Sequence, residues 1–191
     1  MEDTSMPQKD HTDVYMGDMP MDNEMMQMMS NMMDQMNDME MTGDFDFDFA
    51  NMMIMHHKGA IEMSEIEISK GTDAQLKSMA QTIINAQKAE IEVMEKFIKN
   101  FKIKESKIKD TKAHNELGET MTAMMDAMHI IKMTGNTDKD FAIKMIPHHQ
   151  AAVKMANDEL SHGKSRELKK TGTKNGFRSK KGNQRFESMG R

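Results

Sequence analysis

The chain has 191 residues and a net charge of −5, with 28 methionines, no cysteine and no tryptophan. Without cysteine it has no disulfides, no zinc–thiolate site and no thiol redox chemistry. No run of about eighteen apolar residues is present to span a bilayer. The charge is unevenly spread: residues 1–50 carry thirteen Asp and Glu against one Lys, and residues 161–191 carry ten Lys and Arg against two Glu. Leucine is scarce and methionine takes its role, while few apolar residues are β-branched or aromatic. That composition predicts an all-α chain, of a length for one or two small domains.

Residues 1–21 lack periodicity and predict a disordered, acidic, Met-containing N-terminus. No charged-then-apolar signal peptide precedes Met6, as expected of a mature or trimmed form. A first helical unit spans 22–101. It opens with Met25, Met29, Met32, Met36 and Met39, whose 4-3-4-3 spacing is an apolar helical stripe. Thr42-Gly43 stops that helix. A second helix is predicted from Asp46 to Lys70, ended by Gly71. A third begins near Asp73 with the face Leu76, Met79, Ile83, Ile84, Gln87, Ile91, Met94 and Ile98. A lysine-rich connection follows over 102–113, and a second helical unit over 114–170.

The second unit repeats the first at an offset of 92 residues. Met29, Met32, Met36 and Thr42-Gly43 fall on Met121, Met124, Met128 and Thr134-Gly135. Asp48-Phe49-Ala50 falls on Asp140-Phe141-Ala142, and Met53-Ile54-x-His56-His57 on Met145-Ile146-x-His148-His149. Such self-similarity indicates a duplicated structural unit. The match fades after Lys170. Residues 171–191 read as a basic tail whose Gly172, Gly176, Gly182 and Gly190 make a poor helix. A compensated shift of reading frame across codons 171–184 would produce that loss. A shifted frame with no amphipathic pattern in the coding DNA would rule it out. Loss of a last helix would expose Met145 and Met155.

The chemistry concentrates on the second helix of each unit. At about 100° per residue, Phe49, Met53, His56, Ala60 and Met63 share an arc of roughly 80°, with His57 at its edge. Phe141, Met145, His148, His149, Ala152 and Met155 repeat the arrangement. Thioether sulfur is polarisable and uncharged and suits copper(I) or silver(I), while imidazole suits copper in either oxidation state and zinc. Methionines at helical spacing are more often core filler, and a lone buried histidine is more often a core hydrogen-bonder. A His pair flanked by methionines and present twice favours ligation by Met53, His56, His57, Met63, Met145, His148, His149 and Met155. His11, His114, His129 and His162 stand outside the pattern.

A di-iron enzyme needs carboxylates on several helices and two Glu-x-x-His motifs. Only Glu159-x-x-His162 fits. No nucleophile–base pair, phosphate loop or cofactor fingerprint is present, so no catalysis is expected. The basic tail lacks the aromatics of a nucleic-acid surface. A structural or partner-binding bundle with an adaptable Met-rich surface is the alternative to metal binding; the expected partners are metal ions, a second copy of the chain or a copper-transfer protein.

Met-Ile-Pro-His-His-Gln-x-Ala, with a following Met, Ser and Gly, resembles the bacterial domain-of-unknown-function 305 family, whose copper-binding members are of the CopM type. The resemblance covers residues 24–100 and 116–170. It implies a ferritin-like helical bundle, exported to the periplasm or beyond, that binds copper or silver through the Met and His residues above for sequestration, buffering or tolerance. Met55 stands where the family has proline, as at Pro147. The first unit is therefore expected to be straighter there, and Met55 to offer a further sulfur pointing away from the Met53 arc.

Overall fold

The structure, a computed structural model, describes residues 24–39, 41–102 and 111–189, and among them six helices and no strand. The predicted disordered segment 1–21 and residues 103–110 of the connection lie outside the described residues. The helices are α1 (Glu24–Asn37), α2 (Phe45–Lys70), α3 (Ala74–Asn100), α4 (Thr111–Ile130), α5 (Thr137–His162) and α6 (Arg166–Met189). Short connections at 71–73 and 163–165 fold α2 on α3 and α5 on α6 as hairpins. The two hairpins meet where α2 packs on α5, while α1 covers α2 and α4 covers α5.

Local chemistry explains the boundaries. Asp44, Asp73 and Asn136 are N-caps whose side chains accept backbone N–H bonds from the first turns of α2, α3 and α5. Gly43 and Gly135 have φ of 83° and 76°, left-handed values that glycine adopts without strain. The turns they make are fastened by buried carboxylates. Asp48 accepts from Thr42 N at 2.9 Å and Oγ1 at 2.7 Å, and Asp140 from Thr134 N at 2.7 Å and Oγ1 at 2.9 Å. Lys144, buried on α5, donates to the carbonyls of Met128 and Ile131 and so caps the end of α4. Burial lowers its ammonium pKa to about 8.

Methionine fills the core. Of the predicted stripe Leu117, Met121, Met124, Met128 and Ile131, the first four are buried on α4, while Ile131 lies just past the helix end and is half-buried. Among the described side chains of α1, Met28 and Met32 are buried, and Met28 was not in the predicted stripe. α5 continues through Pro147 as one helix. No described helix is long and apolar enough to cross a membrane.

The Gly-rich tail corrects the sequence reading. There is no break at Lys170, and α6 runs from Arg166 to Met189. Its inward face is Leu168, Thr171, Asn175, Ser179 and Phe186, a helical stripe made largely of small polar residues that an apolar pattern search passes over. Each interior glycine costs a helix about 1 kcal/mol relative to alanine, and close packing offsets it. A Cβ at Gly182 would lie 2.6 Å from His149 Cε1, so glycine lets α6 close on α5 there, while at Gly172 and Gly176 it would meet Ala156 Cβ in ordinary contact at 3.8 and 3.5 Å. Phe186 meets Phe141 edge-on, with ring centroids 5.6 Å apart. Met145 and Met155 are accordingly not exposed, each at 0% of its accessible surface.

Candidate metal centre

α2 and α5 each bury one broad face, and all eight candidate residues lie on it. Met53, His56, His57 and Met63 are buried, as are Met145, His148, His149 and Met155. Small Ala60 and Ala152, both buried, let the neighbouring helices close over this face.

The structure does not gather the histidines into one cluster per unit. His56 and His148 instead pair across the α2–α5 contact, with ring centroids 3.7 Å apart. His56 Nε2 lies 2.9 Å from the His148 carbonyl, and His148 Nε2 lies 3.0 Å from the His56 carbonyl. A carbonyl only accepts, so both rings carry their proton on Nε2 and donate it. The sequence missed this because helical spacing defines a face but not which helix it meets.

His57 turns the other way, toward α3 and α6. Its Nε2 lies 2.9 Å from Glu90 Oε2. The Asn175 amide nitrogen sits 3.2 Å from the same oxygen, 3.0 Å from His57 Nε2 and 3.7 Å from Met53 Sδ. Ser179 donates to Asn175 Oδ1 at 3.2 Å, and Arg178 donates to Glu90 Oε1. The consistent assignment has His57 Nε2–H, the Asn175 amide and Arg178 all donating to one carboxylate. The sequence reading passed over Glu90, Asn175 and Asn183. Glu90 was within reach, since Ile83, Gln87, Glu90 and Met94 follow helical spacing on α3. The two asparagines were hidden by the tail's polarity. Replacing Glu90 with alanine leaves the His57 N–H and the Asn175 amide without their acceptor. The expected loss is about 1–3 kcal/mol in urea unfolding, with Glu90→Gln milder because an amide oxygen still accepts.

After these bonds, Nδ1 of His56, His57 and His148 each remains buried with no hydrogen-bond partner. In the neutral ring each of these nitrogens carries a lone pair. His149 is arranged differently, with Nδ1 3.2 Å from Asn183 Oδ1 and its ring against Phe186 at 5.6 Å. The 92-residue offset carries Glu90 to Gly182, where a Cβ would lie 2.6 Å from His149 Cε1. The second copy thus lacks the carboxylate of the first.

Burial, with the neighbouring His57 ring, holds His56 at a pKa of about 3 despite its hydrogen bond to the His148 carbonyl. Burial also lowers His148 well below the ordinary imidazole range, and lowers His149 to about 4. These rings are neutral at physiological pH, the state in which imidazole binds metal. Among the described residues no group of three or more His, Asp or Glu could hold a metal ion. Any ligand set here therefore has to be completed by thioethers. His162, outside the predicted pattern, lies 4.0 Å from Glu116 and against the Phe45 ring.

The fold and site together define a helical bundle with a buried seam of imidazole lined by methionine. The profile of the family described as "Domain of unknown function (DUF305)" matches residues 1–98 and 46–174, and the chain belongs to that family. A crystal structure of a DUF305 protein from Streptomyces coelicolor, named as a candidate secreted protein, superposes with a TM-score of 0.62 at 18% identity. It covers 78% of this chain and 93% of that one. A DUF305 fragment from Deinococcus radiodurans gives 0.56 at 17% identity, over 76% of this chain and 94% of that one. No curated protein matches the chain.

Proposed function

We propose that the protein binds copper(I), with silver(I) as its congener, for sequestration, buffering or tolerance. The observation that carries the reading is the set of three buried imidazoles, each with Nε2–H tied to a carbonyl or carboxylate and each with a bare Nδ1 lone pair. Metal-ligating histidines are held in this way by the groups around them. The residues fit a soft cation: His56, His57, His148 and His149 supply neutral nitrogen, and Met53, Met63, Met145 and Met155 supply buried thioether. A hard cation would find no comparable oxygen cage in the seam. Copper would contribute only its binding energy and a readiness to be passed on.

Export is part of the reading. A thioether–imidazole set survives in an oxidising compartment where free thiols do not, and the Streptomyces protein is named as a candidate for secretion. The competing reading is a purely structural bundle, in which His56 and His148 serve only to cross-link α2 and α5. Their reciprocal bonds favour it.

Anaerobic titration with copper(I) against a competing chelator separates the two. The wild-type chain is expected to take up copper(I) in preference to zinc. A His56→Ala/His57→Ala/His148→Ala/His149→Ala variant should lose that binding. Equal stoichiometry and affinity in the two proteins would sink the His assignment, and tight zinc binding without copper preference would sink the choice of metal.

A further inference from the structure

Glu67 and Glu159 occupy matching places at the C-terminal ends of α2 and α5. Both are completely buried, and neither carboxyl oxygen of either residue meets a hydrogen-bond donor. Each is pressed against the helix-ending glycine, Gly71 or Gly163, where a Cβ would collide with the carboxyl group. What each faces is another carboxyl: Asp138 beside Glu67, and Asp46 beside Glu159.

Those aspartates are committed acceptors. Asp138 takes Thr72 N at 2.9 Å, Thr72 Oγ1 at 2.7 Å and Asp73 N at 2.8 Å, gripping the start of α3. Asp46 takes Lys164 N at 2.8 Å and Ser165 N at 2.9 Å, gripping the approach to α6. Asp138 itself is half-buried and Asp46 buried. A buried carboxyl group with no donor, set against a second carboxyl group, is held there by a proton, since two like charges repel and water does not reach the glutamate. The glutamate is the group free to hold it.

We infer that Glu67–Asp138 and Glu159–Asp46 are two proton-held latches, one at each end of the α2–α5 contact, which fasten these helices while the glutamate is protonated and release when it ionises. Where the chain binds a soft metal, which is the reading proposed above, release of a latch is a route into a seam that is otherwise sealed. The surrounding charges favour different strengths. Around Glu67 stand Asp138 and Asp73, opposed by Lys77; around Glu159 stand Asp46 and Asp44, opposed by Lys169. Burial and the facing aspartate raise Glu67 to about 7 and Glu159 to about 9, so the Glu67 end opens first.

A raised carboxyl pKa stabilises the fold below the unfolded value and loses that contribution as pH rises through the folded one. Between pH 6.5 and 7.5 the rings of His56, His148 and His149 are neutral in the fold, and Lys144, at about 8, is still mostly charged. In that window the unfolding constant of the metal-free protein should rise up to about tenfold per pH unit from Glu159, with Glu67 adding to it until about pH 7. Glu67→Gln/Glu159→Gln keeps a donor toward each aspartate and cannot ionise, so its urea midpoint should stay flat over the same window. Carbon-13 NMR of the wild-type glutamate carboxyls gives a second measurement that needs no variant, and two should titrate above pH 6.5. All glutamates titrating in the ordinary range, or a folded double variant with the wild-type pH slope, overturns the latches. The experiment contains no copper, so its failure leaves the metal reading standing, and the copper titration in turn leaves the latches untouched.

Discussion

Truncation after Lys170 is expected to leave a chain that no longer folds to the native bundle, although the removed segment is polar, basic and rich in glycine. Loss of Phe186 alone empties a fully buried aromatic site against Phe141 and His149, which costs about 3–5 kcal/mol. Loss of Asn175 and Asn183 removes polar partners of Glu90 and His149, at about 1–3 kcal/mol for each buried group left unpaired. The rest of the α5 and α2 surface covered by α6 is uncovered at the same time. Against a total stability of about 5–15 kcal/mol for a domain, these losses are decisive. The truncated chain should keep helical circular dichroism, bind a hydrophobic dye and lose cooperative unfolding. A truncated chain that unfolds cooperatively at the full-length midpoint would return α6 to the status of an accessory tail.

The second large effect is on acid stability. His56, His148 and His149 are neutral in the fold, with pKa values depressed below the ordinary 6.5. Their contribution is present above pH 6.5 and is lost as pH falls, by about 1.4 kcal/mol per pH unit for each. Glu67 and Glu159 work in the opposite sense, because the folded state keeps their protons while the unfolded chain gives them up down to about pH 4.5. Three histidines opposed by two glutamates leave a net loss of about 1.4 kcal/mol per pH unit, so wild-type stability should fall gently between pH 6.5 and 4.5 and steeply below that. In the metal-free Glu67→Gln/Glu159→Gln variant the histidines are unopposed. The loss becomes about 4 kcal/mol per pH unit, enough to unfold the variant near pH 5. Urea midpoints collected from pH 4 to 7 decide the matter. A variant no more acid-sensitive than wild type would mean that the buried rings are not held neutral.

Most of the helices were legible because their signals are local. The Met stripe on α4, the start of α3 near Asp73, the helix-ending Gly43 and Gly135 and the His pairs on α2 and α5 all depend on neighbours within a turn or two. The 92-residue offset could be read in the same way, as one string compared with itself.

What the sequence could not supply was which faces meet. Helical spacing put His56 and His57 side by side, yet the tertiary packing sends one to His148 on α5 and the other to Glu90 on α3. Propensity called residues 171–191 a poor helix, and residues 171–189 nevertheless lie in α6, where packing on α5, with Gly182 against the His149 ring, offsets the glycines. The carboxyl latches were invisible for a related reason. Glu67 and Glu159 look like ordinary surface acids until Asp138 and Asp46, each about seventy or more than a hundred residues away in the chain, are brought against them. Residue type and spacing determined the helices and the chemistry each carries. Only long-range packing, which removes water from particular pairs and sets their protonation, decided what that chemistry faces.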